Sequence, residues 1–359
     1  MKSNNYVAIM AGGIGSRFWP MSRVRNPKQF LDILNTGQSF LQSTFERFVS
    51  FIPAENIYIV TSYDYVEIVK SQLPDLDPAN IVGEPERKNT AACIAYIAHK
   101  LQVQNPEANL IVAPSDHLIL DNTAFEKNCK EGLAFTAEHR KFVTFGIKPT
   151  SPNTGYGYIQ SKDEAHLTLK YVKRFTEKPN KKTAELFLKD KNYFWNSGIF
   201  IWKTKDIIAS FRQHAPSFYT LFNSIADSYN TPYEKSAIIQ VYSNCESISI
   251  DYAILEKEDS VYMLPAEFGW SDLGTWNSAW ENSTKDNEHN ATSGVDTLVY
   301  DSKDCIVHST EKKLIMVGGV EDLIVVNTAD VLLICKKENE QQIKDYVALV
   351  KTQKGEKYL

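Results

Sequence analysis

Short unbroken apolar runs, separated by longer amphipathic stretches, mark the first two thirds of the chain. Tyr6-Val7-Ala8-Ile9-Met10, Ile57 to Val60, Leu110 to Ala113 and Val143 to Gly146 lack polar/apolar alternation. That is the pattern of strands covered on both faces of a parallel sheet. Between them the spacing is helical: Phe40, Leu41, Thr44, Phe45 and Phe48 within 39–51, and Ile94, Ile97, Ala98 and Leu101 within 90–103. Asn89 is the expected N-cap of the second helix. Strand, helix, strand, repeated, predicts a layered α/β fold. The pattern changes after Asn282. Residues 281–293 are polar and read as a linker. Beyond them short apolar runs begin near Leu298, Ile306, Leu314, Leu323 and Val331, separated by turn formers such as Asp301, Asp304, Gly318-Gly319 and Asn327. Even spacing predicts a small all-β unit, a solenoid or a sandwich. An amphipathic helix with Ile343, Tyr346, Val347 and Val350 on one face closes it. This unit shows no cluster of catalytic residue types and reads as a packing or assembly surface.

Composition narrows the classes. The 359 residues are 43% hydrophobic, enough apolar material for two domains. A formal net charge of -5 argues against a nucleic-acid binder. The first 31 residues nevertheless hold Lys2, Arg17, Arg23, Arg25 and Lys28 and no acid before Asp32. A local cationic stretch on an acidic protein points to a small anionic ligand. No apolar stretch approaches membrane-spanning length, and Tyr6 to Met10 is too short for a signal-peptide core. None of the five cysteines lies in a CxxC pair. Neither a zinc site nor a disulfide framework is indicated, and a cytoplasmic location is expected.

The first strand runs directly into Ala11-Gly12-Gly13-Ile14-Gly15-Ser16-Arg17. A glycine turn after a strand lets backbone N–H groups approach a phosphate closely. A dinucleotide GxGxxG starting at Gly13-Ile14-Gly15 fails at its third position, Phe18, which removes a Rossmann dehydrogenase. A Walker A loop fails at Arg17-Phe18, where Gly-Lys-Ser/Thr is needed. Taken alone, the turn is equally a plain strand-to-helix connection.

The residues that follow are specific. The run from Gly12 through Arg17-Phe18-Trp19-Pro20-Met21-Ser22-Arg23, with Pro27-Lys28-Gln29, resembles the pyrophosphorylase motif of the nucleotidylyltransferase superfamily, in its mannose-1-phosphate guanylyltransferase version. Four further segments fit the same family in order. They are Glu84-Pro85-Glu86-Arg87-Lys88-Asn89-Thr90-Ala91-Ala92, Pro114-Ser115-Asp116-His117, a hexose group, and Gly269-Trp270-Ser271-Asp272-Leu273-Gly274. The hexose group comprises Thr154-Gly155-Tyr156-Gly157, Glu177-Lys178-Pro179 and Asn196-Ser197-Gly198. Two departures are small: Lys88 stands between Arg87 and Asn89, and Ala92 stands where Pro is common. The resemblance spans about residues 5 to 280.

The resemblance implies a Rossmann-like mixed, mainly parallel sheet with helices on both faces, plus a small β-helical C-terminal unit. It implies a catalytic domain over 1–285 and a β-rich domain with a terminal helix over 286–359. It further implies transfer of GMP from GTP to mannose 1-phosphate, with Mg²⁺ as cofactor and no nucleic-acid or membrane partner. A homodimer is left open, and so are a related sugar such as a manno-heptose phosphate and a catalytically silent sugar-nucleotide sensor. Site roles follow by match. Arg17 and Lys28 hold the triphosphate, and Lys178 holds the sugar phosphate. Ala11, Gly12, Gly13, Gly15, Glu84, Asn89, Thr90 and Ser115 bind nucleotide. Gly155, Glu177 and Asn196 bind the hexose. Asp116 and Asp272 bind the metal. Each has a plainer reading: Lys28 as an exposed loop lysine, His117 as a structural hydrogen-bonding group, Asp272 as the cap of a helix beginning at Leu273. The segment Asp251-Tyr252-Ala253 with Glu256-Lys257 reads as a structural helix.

Overall fold

The structure is a computed structural model that describes residues 3–162, 168–294 and 296–359. Lys2 of the basic N-terminal stretch lies outside the described residues. The chain divides into two compact units that do not follow chain order. The first holds Met1–Gly12, Phe45–Ser115 and Ile119–Trp270; the second holds Gly13–Thr44, Asp116–Leu118 and Ser271–Leu359.

The first unit is built on a nine-stranded sheet. Its strands in chain order are β1 (Asn5–Met10), β2 (Ile57–Ser62), β3 (Ile81–Glu84), β4 (Asn109–Pro114), β5 (Phe142–Ile147), β6 (Tyr158–Ser161), β7 (Lys170–Thr176), β8 (Tyr193–Lys203) and β9 (Val261–Ala266). The spatial order is β3-β2-β1-β4-β8-β5-β9-β7-β6. The first four run parallel, as expected from the unbroken apolar runs of β1, β2 and β4. The long β8 then enters antiparallel to β4 and β5, so the sheet is mixed. Helix α1 (Asn89–Gln104) lies on one face, with every residue from Ala91 to Leu101 buried. Helix α2 (Asn122–Glu138) covers the other, where a Cβ on Gly132 would stand 2.5 Å from Ile201 Cδ1. The expected cap is not made. Asn89 is the first helical residue at φ 66°, and its Oδ1 accepts from the adjacent Thr90 N–H at 2.8 Å. A capping oxygen would reach the second or third residue of the first turn.

In the second unit the C-terminal strands coil. β10 (Ala291–Ser293), β12 (Ile306–Ser309) and β14 (Leu323–Asn327) stack parallel, and β11 (Thr297–Tyr300) stacks parallel on β13 (Ile315–Gly318). Thr297 pairs with Ile315 and Ile306 with Ile324, each 18 residues on. Successive turns of one coil therefore lie over each other, which is a β-helix and not a sandwich. β15 (Leu332–Lys336) folds back antiparallel on β14. The expected linker ends early, because Ala291 to Ser293 are already the first rung. Helix α3 (Ile343–Lys354) buries Ile343 and packs Tyr346, Val347 and Val350 against the same apolar cluster.

Candidate active site

Within the first unit, Ala11, Gly12, Glu84 and Ser115 of the nucleotide candidates lie at the carboxyl ends of parallel strands, where open α/β sheets bind ligands. Ala11 N–H bonds Val60 O at 2.7 Å, and Thr61 Oγ1 donates to Ala11 O at 2.7 Å. Ser115 N–H bonds Met10 O at 3.0 Å, which joins the ends of β1 and β4. Glu84 ends β3 and is 7% exposed; a Cβ on Gly12 would meet its Oε2 at 3.4 Å. Its Oε1 accepts from Tyr242 OH at 2.8 Å. Thr90 Oγ1 accepts from Ile250 N–H at 2.9 Å, while Asn89 is exposed.

Burial pushes the Glu84 carboxyl up to about 7, against the Tyr242 hydrogen bond that favours the anion. The folded protein therefore keeps this proton after the unfolded chain has lost it. The associated stabilisation is complete below pH 4.5, the ordinary value, and is lost as pH rises through about 7. Neighbouring Cys93 and Tyr242 are themselves pushed up by burial and stay neutral over that range. Glu84→Gln should thus gain on the wild type by up to about 3 kcal/mol between pH 4.5 and pH 8. Urea unfolding at the two pH values measures this, and an unchanged gap would contradict it.

The hexose candidates form a second group in the same unit. A Cβ on Gly157 would stand 2.6 Å from Glu177 Oε2 and 3.5 Å from Asn196 Cβ, so a larger residue there would displace the Glu177 carboxylate. Gly157 O accepts from Asn196 N–H at 2.8 Å. Gly155 is exposed and its N–H bonds Asn153 Oδ1 at 2.7 Å. Lys178, at φ 43°, pairs with the adjacent Glu177 and is otherwise well exposed. Asn196 Nδ2 donates to Asp251 Oδ1 at 3.0 Å. Burial first, then the Glu177 carboxylate, push the Asp251 carboxyl up to about 6. Asp251 opens a π-helical turn, Asp251–Leu255, a geometry common at functional sites. The sequence does not single out Gly157 or Asp251 for a role of their own. Asp251 lies in a segment that reads as structural, and a single π turn has no composition signal.

The second unit holds the triphosphate cations Arg17 and Lys28 and the metal candidates Asp116 and Asp272. Lys28 is not an exposed loop lysine: it is 2% exposed. Its Nζ donates to Asp116 Oδ2 at 3.0 Å, Asp116 O at 2.9 Å and Asp272 O at 2.7 Å. An ammonium has three hydrogens, so these acceptors match its full capacity. Burial works against ionisation of Asp116. The Lys28 ammonium, then His117 and the Lys28 hydrogen bond, outweigh it and hold that carboxyl below its usual range. Gly15 sits at φ 70°, and a Cβ there would stand 2.4 Å from Lys28 Cβ, so the left-handed turn and the buried lysine both require glycine. Gln29 Nε2 donates to Gly13 O at 2.8 Å and Lys28 N–H to Ile14 O at 3.1 Å, which fix the loop's shape. Arg17 Nε is buried without a hydrogen-bond partner among the described residues. A buried donor in that state calls for an explanation, and a bound anion supplies one.

Asp272 does not cap a helix at Leu273. The short helix there runs Trp276–Glu281 and is capped by Thr275, in a reciprocal box with Ser278. Asp272 Oδ1 instead accepts from Gly274 N–H at 2.9 Å. A Cβ on Gly274 would stand 2.8 Å from Asp272 Oδ2. Among the described residues, no three or more His, Cys, Asp or Glu side chains come together as a metal cage. The Asp272 group that meets Lys28 is its backbone carbonyl, while its carboxylate is held by Gly274 N–H. An ion such as Mg²⁺, which keeps waters and is shared with substrate phosphates, needs only one or two protein carboxylates, unlike a closed zinc site.

Comparison with known proteins shows the family. Residues 6–289 match the Nucleotidyl transferase family, and residues 296–349 match the MannoseP isomerase/GMP-like beta-helix domain. The chain is 35% identical to mannose-1-phosphate guanylyltransferase 2 of Escherichia coli O157:H7, over 98% of this chain and 74% of that protein. It is 36% identical to the alginate biosynthesis protein AlgA of Pseudomonas syringae pv. tomato, over 96% and 71%. A solved structure from Thermus thermophilus, described as a mannose-1-phosphate geranyltransferase, superposes with a TM-score of 0.88 at 26% identity, over 97% of this chain and 100% of that one. No helix among the described residues is long and apolar enough to cross a membrane. The chain is thus a nucleotidyltransferase, a member of the nucleotidyl transferase family in the group of the mannose-1-phosphate guanylyltransferases.

Proposed function

We propose that the protein transfers GMP from GTP to mannose 1-phosphate, giving GDP-mannose and pyrophosphate. The observation that carries this reading is the buried Lys28, which ties Asp116 to the Asp272 segment beside a loop that holds an unpartnered Arg17 donor. A phosphate oxygen of the sugar attacks the α-phosphorus of GTP in line. The new P–O bond forms as the bond to the bridging α–β oxygen breaks, and pyrophosphate departs with that oxygen. The attacking oxygen is already anionic at neutral pH, so no general base is needed. The barrier is electrostatic: two like charges at about 4 Å repel by roughly 4 kcal/mol at an effective dielectric near 20.

Positioning and fixed charge must offset that repulsion. Arg17 and Lys28 take the triphosphate, and Lys178 takes the sugar phosphate. The backbone of Ala11, Gly12, Gly13 and Gly15, with Glu84, Asn89, Thr90 and Ser115, holds the nucleotide. Gly155, Glu177 and Asn196 orient the hexose. The family typically uses a divalent metal. Mg²⁺ is the ion proposed here, held by Asp116 and Asp272, and when bound it supplies positive charge at the α-phosphate.

All of these residues lie in 1–285, the proposed catalytic domain, with 286–359 as the β-helical one. The five cysteines are free thiols, which supports a cytoplasmic setting. Pyrophosphate release measured across a matrix of nucleoside triphosphates and sugar 1-phosphates tests the reading. GTP with mannose 1-phosphate should give the highest kcat/KM. A clear preference for another pair, or no release with any, would overturn it.

A further inference from the structure

The C-terminal coil reads from sequence as a surface for packing or assembly, yet within the second unit it grips the segment that carries Arg17 and Lys28. Phe18, Trp19 and Phe40 of that segment share one apolar cluster with Ile306, Ile324 and Val326 of the coil. Lys28 Nζ lies 5.6 Å from the Phe18 ring centroid and 5.2 Å from that of Phe40. The cluster that beds the coil therefore also beds the lysine.

Two polar ties reinforce the packing. Arg23 places two guanidinium nitrogens on the two carboxylate oxygens of Asp330, and the second nitrogen also meets Thr328 Oγ1 at 3.2 Å. The same arginine donates through Nε to Pro20 O at 2.9 Å. Its neighbour Ser22 donates through Oγ to Gly15 O, at the left-handed turn. Trp19 Nε1 donates to Tyr358 O at 2.8 Å. A single exposed ion pair contributes little to stability. A bidentate arginine–carboxylate pair, however, fixes geometry as well as charge. Asp330 is partly exposed, and its side-chain partners among the described residues are Arg23 and Thr328, neither assigned to chemistry, so its effect must pass through Arg23.

We propose that the β-helical domain sets the position of the phosphate-binding segment, with Asp330 as a positioning residue that acts through Arg23. This rests on the assignment of residues 11–28 to the triphosphate. Misplacement of a binding group by a fraction of an ångström affects substrate constants long before it affects folding.

The experiment uses the full chain with Asp330→Ala, Asp330→Glu and Trp19→Phe. Trp19→Phe removes the N–H bond to Tyr358 while keeping an aromatic ring. Steady-state constants for both substrates, GTP affinity by calorimetry and melting temperature are measured on each. Asp330→Ala should raise the KM for GTP about 10-fold, with the KM for mannose 1-phosphate moved much less and the melting temperature unchanged. Asp330→Glu should recover much of the loss, and Trp19→Phe should shift the same constant in the same direction. Wild-type constants in Asp330→Ala, or equal shifts in both KM values that track a fall in melting temperature, would overturn the proposal. A wild type that bound GTP but released no pyrophosphate would refute the reaction, and calorimetry on the variants would still decide the positioning. A wild type that did not bind GTP would refute both.

Discussion

Lys28→Met should cut kcat on the order of 10²- to 10³-fold, the range for removing one preorganised donor from a site of developing charge. The same change should destabilise the fold, which an exposed loop lysine would not do. Lys28 is 2% exposed and serves Asp116 Oδ2, Asp116 O and Asp272 O at once. Without the ammonium, two backbone carbonyls and a carboxylate lose their donor, at a cost of about 1–3 kcal/mol for a buried group left unsatisfied. The Asp116 end is 31% exposed, and water there holds the cost to the lower part of the range. Activity and denaturant unfolding must therefore be measured together, below the temperature at which the variant begins to melt. Folded Lys28→Met with near-normal turnover would remove this lysine from the mechanism. Lys28→Arg is informative beside it. Gly15 backs directly onto the Lys28 stem, so a planar guanidinium has little room to reach the same three oxygens. It should keep charge yet recover only part of kcat.

Strand identity was legible in the sequence because each central strand is a short apolar run with no alternation. β1, β2, β4 and β5 lie where those runs predict. The coil was legible for a similar reason: its short apolar rungs recur at 15 to 18 residues, and turn formers separate them. What sequence order concealed was grouping. Asp116 follows β4, yet it falls in a compact unit with the glycine-rich segment and the coil. No local pattern encodes that, because apolar side chains from three separate stretches make the shared cluster. The reading of Lys28 as exposed failed for the same reason. A lysine in a polar loop is normally solvated, and only the tertiary placement of Asp116 and Asp272 O gives it buried acceptors. Asp251 illustrates a different limit. Its place beside the hexose candidates rests on one contact to Asn196, 55 positions away, and on a π turn that has no periodicity of its own. The plainer reading of Asp272 as a cap met competing local chemistry. Asp, Ser and Thr all cap helices, and Thr275, with Ser278 three residues on, forms the reciprocal box that Asp272 would have displaced.

Asp116→Asn and Asp272→Asn should each lower kcat by about 10² or more and raise the Mg²⁺ concentration needed for half-maximal activity. The double variant should cost clearly less than the sum of the two, because groups that act on one ion are not additive. The structure makes Asp272→Asn a clean substitution. Asp272 Oδ1 accepts from Gly274 N–H, and an asparagine Oδ1 accepts equally well, so the turn is preserved while the charge is lost. Helix capping is not disturbed either, since Thr275 performs it. Asp116→Asn likewise leaves an oxygen facing Lys28, though a neutral one, so the Lys28 contact weakens without being abolished. The two variants therefore differ in side effects and agree only if they share a ligand. Mg²⁺ titration of pyrophosphate release gives the kinetic answer. Thermal shift of the GTP-loaded protein against Mg²⁺ gives a second one that does not depend on turnover, since an ion bound only by the folded state raises its apparent stability. A mild Asp272→Asn phenotype with unaltered Mg²⁺ dependence in both measurements would confine Asp272 to the turn and leave Asp116 as the sole carboxylate candidate. Full additivity of the two variants would show that they act on separate events.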